Sequence, residues 1–100
     1  MKRILVLILH PSLAEAALDL LLAHPDKVTG YCSSEVDAHG FGAVLSGPAE
    51  EVAGASRRTR LEIVVPAEHV DVLLGLLKTH WPHPGLIYWT VAAEIFGVLS

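Results

Sequence analysis

The stretch Val36–Arg60, VDAHGFGAVLSGPAEEVAGASRRTR, decides how the chain is read. It separates two strand-like runs, carries Asp37, His39 and four glycines, and closes on Arg57, Arg58 and Arg60. It is far longer than the roughly two to five residues of an ordinary hairpin turn, and connections of that length in compact domains usually carry function. The expectation is therefore a small scaffold that holds a loop at about residues 37–58.

Upstream, Ile4–Leu9 is apolar without interruption, as in a strand buried on both faces. His10-Pro11 ends it, and Ser12-Leu13-Ala14-Glu15 reads as a capping box opening a helix to about Ala23. His24-Pro25 stops that helix, since a residue before proline is pushed out of the helical region. Val28–Val36 alternates weakly and is expected to be the second strand. Within the loop, Pro48 followed by Glu50 and Glu51 resembles a helix start.

Downstream, Thr59–Val65 is the third expected strand, with Leu61, Ile63 and Val65 on one face. Glu68–Trp81 is the second helix, its stripe formed by Val70, Leu73, Leu74, Leu77 and Trp81. Leu86–Val91 is the fourth strand. Strand, helix, strand, strand, helix, strand makes an α+β, ferredoxin-like βαββαβ sandwich in a single domain over residues 1–100. Its helices cover only one sheet face, yet the first strand is apolar on both. Together with 52% hydrophobic and 18% charged residues, this points to a homo-oligomer that covers the other face.

A net charge of -4 argues against a nucleic-acid partner. The single cysteine, Cys32, leaves no disulfide framework and fits a cytoplasmic setting. The apolar run behind Met1-Lys2-Arg3 is only six residues long, too short for a signal peptide, and no run is long enough to insert into a membrane.

Ala38-His39-Gly40, Ala49-Glu50-Glu51-Val52-Ala53-Gly54, Arg57-Arg58-Thr59-Arg60-Leu61-Glu62 and Tyr88-Trp89 give the chain a family likeness. It resembles the PII-like superfamily of PII and CutA proteins, and within it a group whose genes often sit beside heavy-metal efflux pumps. The resemblance implies a homotrimer with the open sheet faces inside and ligands in clefts between subunits. It also implies a long loop that signals to a partner such as a metal-efflux transporter. The sequence departs from that pattern at Ile87, where the group commonly has a His, and at His10. The glycine-rich basic loop with which PII proteins bind nucleotide is absent; Pro66-Ala67 stands in its place.

Three functional readings follow. The first is a sensor of a transition metal, zinc or copper, held by His39 with Asp37 or Cys32, the thiol joining only where it faces the same cleft, because imidazole, carboxylate and thiolate are ordinary ligands of such ions. The second is a regulator responsive to adenine nucleotide or another anion through Arg57, Arg58 and Arg60, whose guanidinium forks match phosphate and carboxylate. The third is a structural trimer without a small ligand. His80 and His83 form a weaker candidate pair, and Cys32 by default reads as a buried structural thiol. No Ser-His-Asp or Cys-His constellation and no Walker-type glycine loop is present, so the chain is expected not to be an enzyme.

Overall fold

A computed structural model describes residues 1–41, 56–82 and 84–100. The elements are β1 (Lys2–Leu9), α1 (Pro11–Leu22), β2 (Gly30–Ala38), β3 (Ser56–Pro66), a single 3-10 turn (Ala67–His69), α2 (Val70–His80) and β4 (Ile87–Ala93). The four strands form one sheet in the order β2-β3-β1-β4, with every neighbouring pair antiparallel. This is the ferredoxin-like arrangement read from the sequence.

β1 lies between β3 and β4, so it is paired on both edges, and its alternation divides the fold into two layers. Leu5, Leu7 and Leu9 point toward the helices and join Leu61, Ile63 and Val65 of β3 in the main core. α1 contributes Ala14, Ala17 and Leu21, and α2 contributes Val70, Leu73 and Leu77. The small side chains Ala14 and Ala17 let α1 lie close to the sheet. Val6 and Ile8 point the other way and are 1% and 3% exposed, although among the described residues no helix covers that face. Ile4, Val36, Ile87 and Trp89 pack around them. The open face is thus partly roofed by its own larger side chains.

Several element ends differ from the sequence reading. α1 is capped by His10, not Ser12: Pro11 takes the first helical position, which suits its fixed φ, and the Ser12 N–H donates to His10 Nδ1 at 3.2 Å. β2 begins at Gly30 and runs on to Ala38, while β3 begins at Ser56. The ladder therefore gains the pairs Asp37↔Arg57 and Ala38↔Ser56, and the connection shortens from about 37–58 to 39–55. β4 runs to Ala93, because Ala92 and Ala93 still pair with Arg3 and Lys2. The helix start expected at Pro48 lies outside the described residues.

The two-layer account predicts a sharp contrast between adjacent positions on α2. Leu73→Ala removes a side chain with no solvent exposure and should cost about 2–5 kcal/mol in urea unfolding. Val72→Ala, at a position 45% exposed, should change stability by no more than about 0.5 kcal/mol. Equal losses at both positions would contradict the assignment of the core.

Candidate ligand site at the root of the β2–β3 connection

The register of β2 on β3 sorts the charged residues by face. On the open face lie Cys32, Ser34, Val36 and Ala38 of β2, opposite Glu62, Arg60, Arg58 and Ser56 of β3. On the other face lie Tyr31, Ser33, Glu35 and Asp37, opposite Ile63, Leu61, Thr59 and Arg57. Arg57, Arg58 and Arg60 are close in sequence, yet strand alternation splits them two to one.

Each arginine has a different environment. The Arg57 Nε donates to Asp37 Oδ1 at 3.1 Å, and its Nη1 donates to Glu35 Oε2 at 3.3 Å; all three side chains are more than 60% exposed. These are solvated cross-strand pairs that reinforce the end of the ladder. Arg58 is 6% exposed, and its Nη1 donates to the Arg57 carbonyl at 2.9 Å. Arg60 is half-buried: its Nε donates to Glu62 Oε1 at 2.9 Å, and its guanidinium carbon lies 5.7 Å from the centre of the Trp89 ring. Arg60 therefore combines an ion pair with a cation–π contact on the open face, between the polar residues of β2 and β3 and the apolar side chains of β1 and β4.

Beyond Arg58 the ladder closes with Ala38 and Ser56, 8% and 4% exposed. The chain then leaves β2 through His39, Gly40 and Phe41. Gly40 has φ 78° and Phe41 has φ 61°. Two consecutive left-handed residues make a sharp exit from the strand, and Phe41 holds a conformation that non-glycine residues rarely adopt. A buried guanidinium, a buried hydroxyl and a constrained turn thus converge at one end of the sheet.

The structure does not bring the three expected metal ligands together. Cys32 and Asp37 lie on opposite faces of β2, and Asp37 is engaged by Arg57. His39 is exposed, just past the strand, seven residues from Cys32. Among the described residues no group of three or more His, Cys, Asp or Glu is placed to hold a metal ion. Cys32 is exposed rather than buried, because it lies on the edge strand, on the face that no helix among the described residues covers. His83 lies outside the described residues, so the His80–His83 pair is not described; His80 packs edge-on against Trp81, ring centroids 4.4 Å apart. Pairing of the arginine cluster with Glu62 is a sequence-based expectation that Arg60 meets, whereas its contact with Trp89 is not legible in the sequence. The face that Arg60 shares with Trp89 follows from period-two alternation once the register is known.

The chain matches the family described as "Protein of unknown function (DUF3240)" over residues 1–100. No curated protein matches it. Among solved structures it is similar to a DUF3240 family protein from Shewanella baltica OS155, with 21% identity, coverage of 99% of this chain and 97% of that one, and a TM-score of 0.79. It is also similar to CPII, a nitrogen regulatory PII-like protein from Thiomonas intermedia K12, bound to ADP, AMP and bicarbonate. Here the identity is 19%, the coverage 98% and 96%, and the TM-score 0.72. A second structure of CPII, bound to ADP, AMP and acetate, matches with 22% identity, coverage of 89% and 82%, and a TM-score of 0.64. The fold is therefore PII-like.

The two arginines at the site differ enough in burial to predict unequal costs. Arg57→Ala should lower unfolding stability by no more than about 1 kcal/mol, as for exposed ion pairs in general. Arg58→Ala, which removes a buried side chain with its packing and its hydrogen bond, should cost more. Chemical denaturation of both variants checks the order, and a larger loss at Arg57 would contradict it.

Proposed function

Since the chain belongs to the DUF3240 family, we propose that it is a PII-like regulator that binds a small anionic ligand, adenine nucleotide or bicarbonate, and works as a homo-oligomer. The observation that carries this reading is Arg58, a guanidinium only 6% exposed at the root of the long β2–β3 connection. A planar fork with five N–H donors in a water-poor setting suits a carboxylate or phosphate oxygen. The fold shared with CPII, a protein bound to ADP, AMP and bicarbonate, supports the same ligand class. The metal reading, with zinc or copper at His39, Asp37 and Cys32, has less support because strand alternation separates two of its three ligands.

The protein acts by binding rather than by catalysis. Ligand shifts the connection toward whichever state binds it more tightly, and that state is presented to a partner. A metal-efflux transporter as that partner rests on the family resemblance alone. Three copies would turn their open faces inward, covering the apolar surface around Trp89 and Val91. A cytoplasmic location fits the lone thiol.

Thermal melting of the purified protein tests the ligand class. A ligand present at a hundredfold its dissociation constant stabilises the folded state by about 2.7 kcal/mol. ADP, AMP or bicarbonate should therefore raise the melting temperature, and Arg58→Ala should remove the rise. A rise with zinc or copper that His39→Ala abolishes, with none from nucleotide or bicarbonate, would overturn the anion reading in favour of the metal one. No rise with any of them would favour the structural trimer. Oligomerisation is tested separately. Light scattering should give three times the 10.7 kDa chain mass, and Trp89→Glu, which sets a charge on the face to be covered, should lower that mass.

A further inference from the structure

Two apolar surfaces remain that the reading above does not use. One is a groove of about 370 Å³ between the last turns of α2 and the start of β4. Leu74, Leu77, Leu86 and Tyr88 line it, with Gly75 on its rim and Lys78 as the charged residue in the lining. Its volume lies in the range of roughly 300–1,000 Å³ typical of binding sites. Among the described residues Lys78 makes no ion pair. The other surface is the segment after β4, Glu94-Ile95-Phe96-Gly97-Val98-Leu99. There Ile95, Val98 and Leu99 are 96%, 81% and 103% exposed, and Phe96 is 46% exposed. Contiguous exposed apolar residues of this kind mark an interaction site.

We propose that the segment Ile95–Leu99 of one copy docks into the α2–β4 groove of a neighbouring copy. The inference rests on the homo-oligomer reading and adds the contact that joins the copies. The same chain cannot readily serve as both donor and acceptor. β4 starts beside the groove, where Ile87 pairs with Ile8, and ends at the other end of the same ladder, where Ala93 pairs with Lys2. At about 3.3 Å per residue the segment begins roughly 20 Å away. Turning back would bring only its last residues to the groove and leave Ile95 and Phe96 in water.

A neighbouring copy has no such restriction. Its groove offers apolar walls for the aliphatic side chains and a lysine for Glu94, the segment's charged residue. The contact is head-to-tail: one surface gives, a different one receives. Where the rotation between copies closes, such a contact repeated around an axis makes a ring, the form of the homo-oligomer proposed above.

Cross-linking between differently tagged copies tests the contact. Both copies carry Cys32→Ser; one carries Gly75→Cys and the other Leu99→Cys. A Cβ at Gly75 meets nothing within 4 Å, so that site accepts a side chain. After co-expression and mild oxidation, a disulfide should join the two different tags. Lys78→Glu should reduce its yield several-fold, and Glu94→Lys in the partner copy should restore it. Absence of the mixed disulfide from a protein that light scattering shows to be oligomeric would overturn the docking while leaving the oligomer intact. A monomer by light scattering would overturn both. A disulfide formed within one chain that carries both cysteines, with none between tags, would show the segment returning to its own groove and would overturn the proposal.

Discussion

The fold depends on β1 being apolar on both faces. Paired along both edges by β3 and β4, it cannot turn either face to water without exposing a row of Leu, Ile and Val. Two helices cover Leu5, Leu7 and Leu9. The opposite row, Ile4, Val6 and Ile8, is covered in part by Trp89, Ile87 and Val36, with Arg60 held beside them over Trp89. This second layer is thin: Val91 is still 46% exposed. A strand of this composition favours a fold in which something lies over both faces, which is the basis of the homo-oligomer proposed above.

The candidate site follows from the same sheet. β3 is the longest strand, and its first residues run beyond the end of β1 to pair only with β2. Arg57, Arg58, Ser56 and Ala38 occupy that overhang. Alternation puts Arg57 on the helix-side face with Glu35 and Asp37, where, past the end of β1, it reinforces the ladder in solvent. The same alternation puts Arg58 on the open face, where its side chain is nevertheless buried and its charge, shielded from water, interacts more strongly with its surroundings. The left-handed pair Gly40 and Phe41 then carries the chain off the sheet. Rigid strand ends beside a long connection are where binding residues concentrate, because the scaffold fixes their positions while the connection adapts.

Much of this was legible in the residues themselves. The order of elements follows from the unbroken apolar run of β1, the proline stops and the clear stripe of α2, so the ferredoxin-like topology needed no structure. Element ends were less legible. β2 and β3 each gain residues at the loop because Asp37 and Arg57 find one another across the ladder, a long-range contact that no local pattern announces. The cap of α1 moved from Ser12 to His10 because Pro11 claims the first helical position. Arg57, Arg58 and Arg60 lie close in sequence, and Cys32 and Asp37 lie on one strand, but which of them share a face depends on strand alternation. In a strand, side chains one or three apart face opposite ways. The Arg60–Glu62 pair is legible from alternation within β3, whereas register is what brings Trp89 of β4 to Arg60.

Hydrogen exchange with and without ligand tests most directly whether the end of the β2–β3 ladder is the binding site of a PII-like regulator. With saturating ADP and bicarbonate, the amides of Val36–Phe41 and Ser56–Arg58 should exchange more slowly, while the helix interiors remain unchanged. Slower exchange confined to other parts of the fold, or no change in the presence of nucleotide, bicarbonate or both, would contradict the account.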